Sequence, residues 1–276
     1  MKFKTVREGS QALVLNHLGE GRILVGPQRV FLFRQSLQVL QNYTATPDQY
    51  LKIKWQDGRT EHRSGPVSMF LNPLEHERIE MLSGIKLNAN QALIVYKTTA
   101  EKTGSIVERR IVYGPIVFIP TADEWLHEFK WHGADMKTNK TVMIPEFAKF
   151  TKLSIIPQHF YYNVREVRTC DDTQIVVKLM IFYELTDIEK MLELTHDPIA
   201  DFINAVCADV VSFATKLSYE EFQQQASKLN SQNTYPQLMQ RAKRIGYNIS
   251  KVVYRATMQG ITCSLCKMMP SRVELS

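Results

Sequence analysis

Three stretches in the first half of the chain share one grammar. RILVGPQRVFLF begins at Arg22, RTEHRSGPVSMFLNP at Arg59 and RRIVYGPIVFIP at Arg109. Each sets an Arg before a Gly-Pro pair and an apolar, Phe-containing run after it. The pairs Gly26-Pro27, Gly65-Pro66 and Gly114-Pro115 lie 39 and then 49 residues apart, a spacing typical of repeated supersecondary units. Pro fixes its own φ, has no N–H for a sheet and pushes its predecessor out of the helical region. Gly accepts the tight corner that results. Each pair is therefore expected to mark a turn from one strand into the next. The segments around them, QALVL, YLKIKW, QALIVYK and SIVERRIVY, alternate or are β-branched, which is strand chemistry. Asp57-Gly58 and Asn72-Pro73 punctuate them as turns.

The second half changes character. A turn at Asp171-Asp172 feeds QIVVKLMIFYEL, expected to be a long central strand. Helical grammar follows. Asp197 before Pro198 is a favoured helix start. Ile199, Phe202, Ile203, Val206, Val210 and Phe213 then recur at three- and four-residue spacing, a buried helix face. Ser218 with Glu221 spells a capping box for a second helix. A third runs through YPQLMQRAKRI to a terminating Gly246, and NISKVVYR returns as a strand. Strands, then helices, then a strand predict an α+β domain after an all-β repeat region. The expected boundaries are 1–132 for the repeats and 133–256 for the α+β domain.

With 276 residues, 44% of them hydrophobic, both regions have enough apolar side chains for a core. The net charge of +6 favours anionic partners, but the cations are scattered, so a mixed solvated surface is expected rather than a specific nucleic-acid site. Cys170, Cys207, Cys263 and Cys266 make no disulfide framework. The opening residues carry no long apolar run of a secretory signal, and no window approaches the roughly 18–20 apolar residues that span a bilayer. A cytoplasmic chain is expected, with any membrane contact peripheral.

The one stretch that invites a catalytic reading is EWLHEFKWH, Glu124 to His132. A zinc protease needs His-Glu-x-x-His, because residues four apart share a helix face. His127 and His132 are five apart, about 140° around a helix, and cannot hold one ion that way. As a strand, His127, Phe129 and Trp131 face one side while Glu128, Lys130 and His132 face the other. The stretch is expected to close the repeat array, with Trp125, Phe129 and Trp131 packing at the domain junction. Cys263 and Cys266 form a CxxC, but no second pair stands at zinc-ribbon distance. Capping and turn chemistry account for the carboxylates of HDPIAD and Asp171-Asp172. With no nucleophile elbow, phosphate loop or dinucleotide fingerprint, no enzyme, metal or cofactor is expected.

The second half resembles the SPFH domain, also called band 7 or prohibitin-homology, of the stomatin, prohibitin and flotillin superfamily. That pattern has an Arg-Thr-x-Asp strand start, here Arg168, Thr169 and Asp171. It continues with a strand ending in Asp, here Phe182 to Asp187, and a helix opened by Asp-Pro, here Asp197 and Pro198. A Ser-x-Glu-Glu-apolar helix start falls at Ser218 to Phe222, and the Gly before the last strand is Gly246. The first half is similar to the β-repeats of the major vault protein, which likewise precede a domain of SPFH type. The resemblance implies a non-catalytic scaffold that forms homo-oligomers, with peripheral membrane contact. A binding module for anionic lipid or RNA stands as the alternative, motivated by the basic charge and by aromatic strands such as YLKIKW. Residues 257–276 break the pattern. Synonymous codons shifted by one nucleotide turn Cys266 to Ser276 into a helix-like sequence, so the end from about Ala256 is read as an out-of-frame or alternatively spliced tail.

Overall fold

The computed structural model describes residues 2–101, 104–135 and 142–259. The chain divides into two compact units, Met1–His127 and Glu128–Ser276.

The first unit is one five-strand plan used three times. The first copy has β1 (Lys2–Val6), β2 (Gln11–Leu15), β3 (Gly21–Val25), β4 (Gln28–Leu32) and β5 (Ser36–Val39). The second has β6 (Asn42–Ala45), β7 (Gln49–Trp55), β8 (Thr60–Ser64), β9 (Val67–Phe70) and β10 (His76–Ser83). The third has β11 (Ile85–Leu87), β12 (Gln91–Glu101), β13 (Gly104–Tyr113), β14 (Ile116–Phe118) and β15 (Glu124–Leu126). In every copy the first strand pairs with the fourth, and the second lies between the third and the fifth, all antiparallel.

The same positions supply each core. Val6, Ala45 and Leu87 end the first strands and are buried, as are Ala12, Leu51 and Leu93, then Val14, Ile53 and Val95, on the second strands. In β7 Leu51 and Ile53 point inward while Lys52 and Lys54 stay exposed. In β2 and β12 the opposite face is covered too, so Leu13 and Ile94 are also buried. Leu74 of the second copy packs where Gly21 leaves room beside Leu13, joining two copies.

Each Gly-Pro pair, in a cis peptide bond, sits between the third and fourth strands of its copy. The glycine is pressed onto the turn that joins the first strand to the second. A Cβ would lie 1.8 Å from Arg7 O at Gly26, 2.0 Å from Thr46 O at Gly65 and 1.9 Å from Asn88 O at Gly114. Their N–H groups donate to Ser10 O, Gln49 O and Gln91 O at 3.0, 2.9 and 2.9 Å. Only glycine permits this approach.

The second unit holds β16 (Phe129–Ala134), β17 (Met143–Phe150), β18 (Lys152–Ser154), β19 (Gln158–Arg168) and β20 (Gln174–Leu185). Helices α1 (Ile188–Leu194), α2 (Pro198–Ala214), α3 (Tyr219–Gln225) and α4 (Pro236–Arg244) follow, and β21 (Tyr247–Gln259) closes it. Two short 3-10 segments, Ala226–Asn230 and Gln232–Thr234, link α3 to α4. β16 and β17 pair with each other, and β20 is the middle strand between β19 and β21. Along β20 every second residue, Ile175 through Leu185, is buried. Phe202, Val206 and Val210 of α2 are buried in the same core, and α2 packs on β19, β16 and α4. Strands first and helices late make the architecture α+β.

Three details depart from the sequence reading. EWLHEFKWH is two strands rather than one: Glu124–Leu126 belongs to the third repeat, and Phe129–Ala134 begins the second unit. A helix not anticipated, α1, follows β20 directly, because Asp187 caps it by accepting the Lys190 N–H at 3.1 Å. β21 runs past Arg255 to Gln259, which pairs opposite Ile175.

Candidate functional site

The residues of the SPFH-like pattern lie at three fastening points of the second unit. At the first, Arg168 pairs with Asp172 and the Thr169 hydroxyl donates to Asp171. The other Asp171 oxygen accepts the Tyr219 N–H at 3.1 Å, tying the β19–β20 turn to the start of α3. The hydroxyl of Thr169, then the N–H of Tyr219, hold the Asp171 carboxyl below its ordinary range. Beside it, Ser218 and Glu221 close their capping box, with Glu221 accepting the Ser218 N–H at 2.9 Å.

The second point joins both ends of the helical segment. Thr186 N and Asp187 N donate to Gly246 O at 2.9 and 3.0 Å. Gly246 has φ +80° and lies so close to Asp187 that a Cβ would be 2.3 Å from its carbonyl oxygen. The Lys190 N–H, then its ammonium, lower the pKa of Asp187.

Asp197 makes the third. Its Oδ1 accepts the N–H of Ile199 and Ala200 at 3.0 and 3.1 Å, capping α2 with Pro198 in the first turn. Its Oδ2 accepts both the backbone N–H and Nδ1 of His132 at 2.6 Å. Four donors on one carboxylate fix the His132 ring with hydrogen on Nδ1 and anchor β16 to α2.

The histidines of EWLHEFKWH thus have separate roles. His127 donates its N–H to Ile94 O and meets the Tyr96 hydroxyl through Nδ1 at 3.2 Å, whereas His132 serves Asp197. Trp125 stacks on Tyr96 in the first unit. Phe129 and Trp131 pack around Phe150 in the second. Among the described residues no group of three His, Cys, Asp or Glu is placed to hold a metal. Cys263 and Cys266 lie outside the described residues, as does the tail from residue 260. Cys170 is exposed, and burial raises the pKa of the Cys207 thiol, which contacts the Tyr162 hydroxyl.

Several polar contacts of consequence lie outside the motifs. Asp209 is buried on the apolar face of α2 and accepts the N–H of Gln237 and Leu238 at 3.2 and 2.9 Å. It supplies from another helix the cap that Tyr235 does not give α4. Burial raises its pKa, against the lowering by those two N–H groups. Its place at core spacing beside Phe202, Val206 and Val210 was the available clue. Asp201, whose carboxylate was expected to serve capping like that of Asp197, instead takes Nε and Nη2 of Arg241 at 3.1 and 2.7 Å, tying α2 to α4. In the first unit His76 is buried against Trp55, its Nδ1 accepting the Asn72 N–H, and burial lowers its pKa.

One concavity of the second unit, of about 430 Å³, is walled by Trp131, Phe150, Phe160, Tyr183 and Ile199. Burial pushes the Tyr183 phenol up to about 12, so it stays a donor, to Gln158 Oε1 at 2.9 Å. No single helix among the described residues is long and apolar enough to cross a membrane. The α2–α3 pair passes by length and composition with a 116° bend, and the apolar face of α2 is buried in this unit's own core. Set against known protein families and curated proteins, the chain matches none.

Proposed function

We propose that this chain is a non-catalytic scaffold that self-associates, built from vault-like β-repeats and a unit of SPFH/band 7 type, and that it works in the cytoplasm or peripherally at a membrane. The observation that carries the reading is the tandem order: three copies of one five-strand plan, each closed by the same Gly-Pro contact, then an α+β unit. Repeat units of this kind bury their faces against neighbours and extend by addition, which suits assembly. The pattern residues Asp171, Asp187 and Asp197 support it further, because their bonds hold a framework together. Negative-stain electron microscopy tests the reading: particles larger than one chain with recurring symmetry are expected, and a field of single-chain particles counts against it.

A second reading has one observation in its favour. In the first repeat Phe3 and Phe31 pair across β1 and β4 at 5.0 Å while both stay exposed, with Arg29 over Phe3 and Arg34 beside the exposed Phe33. Such a basic, aromatic surface suits anionic lipid or RNA. It requires binding to anionic vesicles or single-stranded RNA that weakens steeply with salt, since counterion release drives such contacts. Salt-insensitive binding, or none, removes it.

A further inference from the structure

The hairpin of β12 and β13 in the third repeat outgrows the shared plan. Its strands run 11 and 10 residues, against 5 and 5 for β2 and β3 and 7 and 5 for β7 and β8. β13 is an outer strand: β12 pairs with one of its edges, and among the described residues no strand pairs with the other. Three bonds fix which groups that other edge presents. Gly114, one residue past β13, donates its N–H to Gln91 O at 2.9 Å, so even-numbered positions of β13 bond to β12. Ile94 and Thr98, opposite Ile111 and Val107, bond on the far side of β12: Ile94 O accepts the His127 N–H at 2.9 Å, and the Thr98 N–H donates to Asp123 O at 3.3 Å. The N–H and C=O groups of Val107, Arg109 and Ile111 therefore point away from β12. Ile106 and Val107 lie on opposite faces of the strand and are 47% and 54% exposed, so neither face is covered there. A long outer strand with bare apolar side chains is a template for another strand.

The letters of this edge, IVERRIV from Ile106 to Val112, are nearly self-complementary when reversed. A second chain laid antiparallel on it must set odd positions against odd, because only those carry outward bonding groups. Centred on Arg109, that register places Ile106 opposite Val112, Val107 opposite Ile111 and Glu108 opposite Arg110, on both sides of the axis. The next permitted register either way sets Glu108 or Arg110 against its own twin and an apolar residue against a charge. Arg109 meeting its twin is the cost of the favoured register, and Arg109 already has an interaction within its own chain. Arg110 keeps its bond to Glu124 at 2.6 Å, and its guanidinium has further N–H donors for Glu108.

We propose that β13 pairs edge to edge with β13 of a second copy of this chain, about a two-fold axis at Arg109. The inference rests on the self-association reading and names one of its contacts.

Disulfide trapping in the whole chain tests it. In the proposed register the two copies of position 109 stand directly opposite, about 5.5 Å apart between Cα atoms, within disulfide reach. Arg109→Cys under mild oxidation should therefore give a disulfide joining two chains at position 109, identified by mass spectrometry of the linked peptides. Val107→Pro removes an outward N–H and no bond to β12, a substitution that an outer strand tolerates. Added to Arg109→Cys, it should lower the yield of that link about tenfold, because the two-fold axis removes the bond twice. Where the double variant does not fold, the link in Arg109→Cys alone decides. Absence of the link, or an equal yield in a folded double variant, overturns this contact. If the parent still forms multimers by light scattering, the self-association reading stands without it, whereas a parent that stays a single chain refutes both.

Discussion

Replacing Gly65 by Ala tests the repeat architecture at its tightest contact. The new Cβ would sit 2.0 Å from Thr46 O, 2.7 Å from Thr46 C and 3.0 Å from Ala45 O. All three are backbone atoms, so no rotamer relieves the clash, and one strand must move by about 1 Å to restore van der Waals distance. That movement strains the Gly65 N–H bond to Gln49 O and the Gln49 N–H bond to Thr46 O, both 2.9 Å. Each bond contributes about 0.5–1.5 kcal/mol net. Ala45 also shifts off Leu51, Ile53 and Ile79, the buried cluster of this copy. The sum is a loss of about 2–4 kcal/mol, in the upper range for single substitutions. Native-state hydrogen exchange should register it in the amides of β6 to β10. Gly26→Ala and Gly114→Ala should repeat the effect in their own copies, and the exposed Thr60→Ala should stay within about 0.5 kcal/mol of the parent. Protection unchanged in Gly65→Ala, or lost equally throughout the chain, would refute the close-approach account.

Asp197→Ala removes the α2 cap and strands two His132 donors, so the second unit should lose about 2–4 kcal/mol in urea unfolding, against about 1 for His132→Ala; equal losses would contradict the shared-carboxylate geometry. Asp209→Ala leaves the Gln237 and Leu238 N–H groups without an acceptor and should destabilise by about 2–4 kcal/mol, with Asp209→Asn recovering part of it, whereas a neutral Asp209→Ala would show that α4 is capped otherwise. Because burial lowers the folded pKa of His76, the unfolded chain binds its proton first. The first unit should therefore hold full stability above about pH 6.5 and lose it as pH falls further, and His76→Phe should flatten that slope in denaturation followed at several pH values.

How far the chain could be read from its letters follows the range of the interaction concerned. The Gly-Pro corners, the Asp197-Pro198 start, the Ser218–Glu221 box and the Gly246 stop depend on residues within a few positions of one another, and each was legible. The reason glycine is required at Gly65 was not, because the carbonyl it approaches belongs to Thr46 on another strand. The pairing of first strand with fourth and second with fifth is likewise set by packing between distant segments. α1 was missed because IEKMLEL is only two turns long and its N-cap, Asp187, was read only as the end of the preceding strand pattern. His132 and Asp197 are 65 residues apart, and Asp209 reaches α4 across 28 and 29 residues, so neither link leaves a local motif. The cavity too is assembled from five strands and a helix, and only its aromatic residues were visible in sequence.

The central claim is self-association, and the solution mass tests it most directly. Multi-angle light scattering across a hundredfold range of concentration should give a mass that is a multiple of the 31.9 kDa chain and grows or holds as concentration rises. A single species of 31.9 kDa at every concentration would contradict the scaffold account.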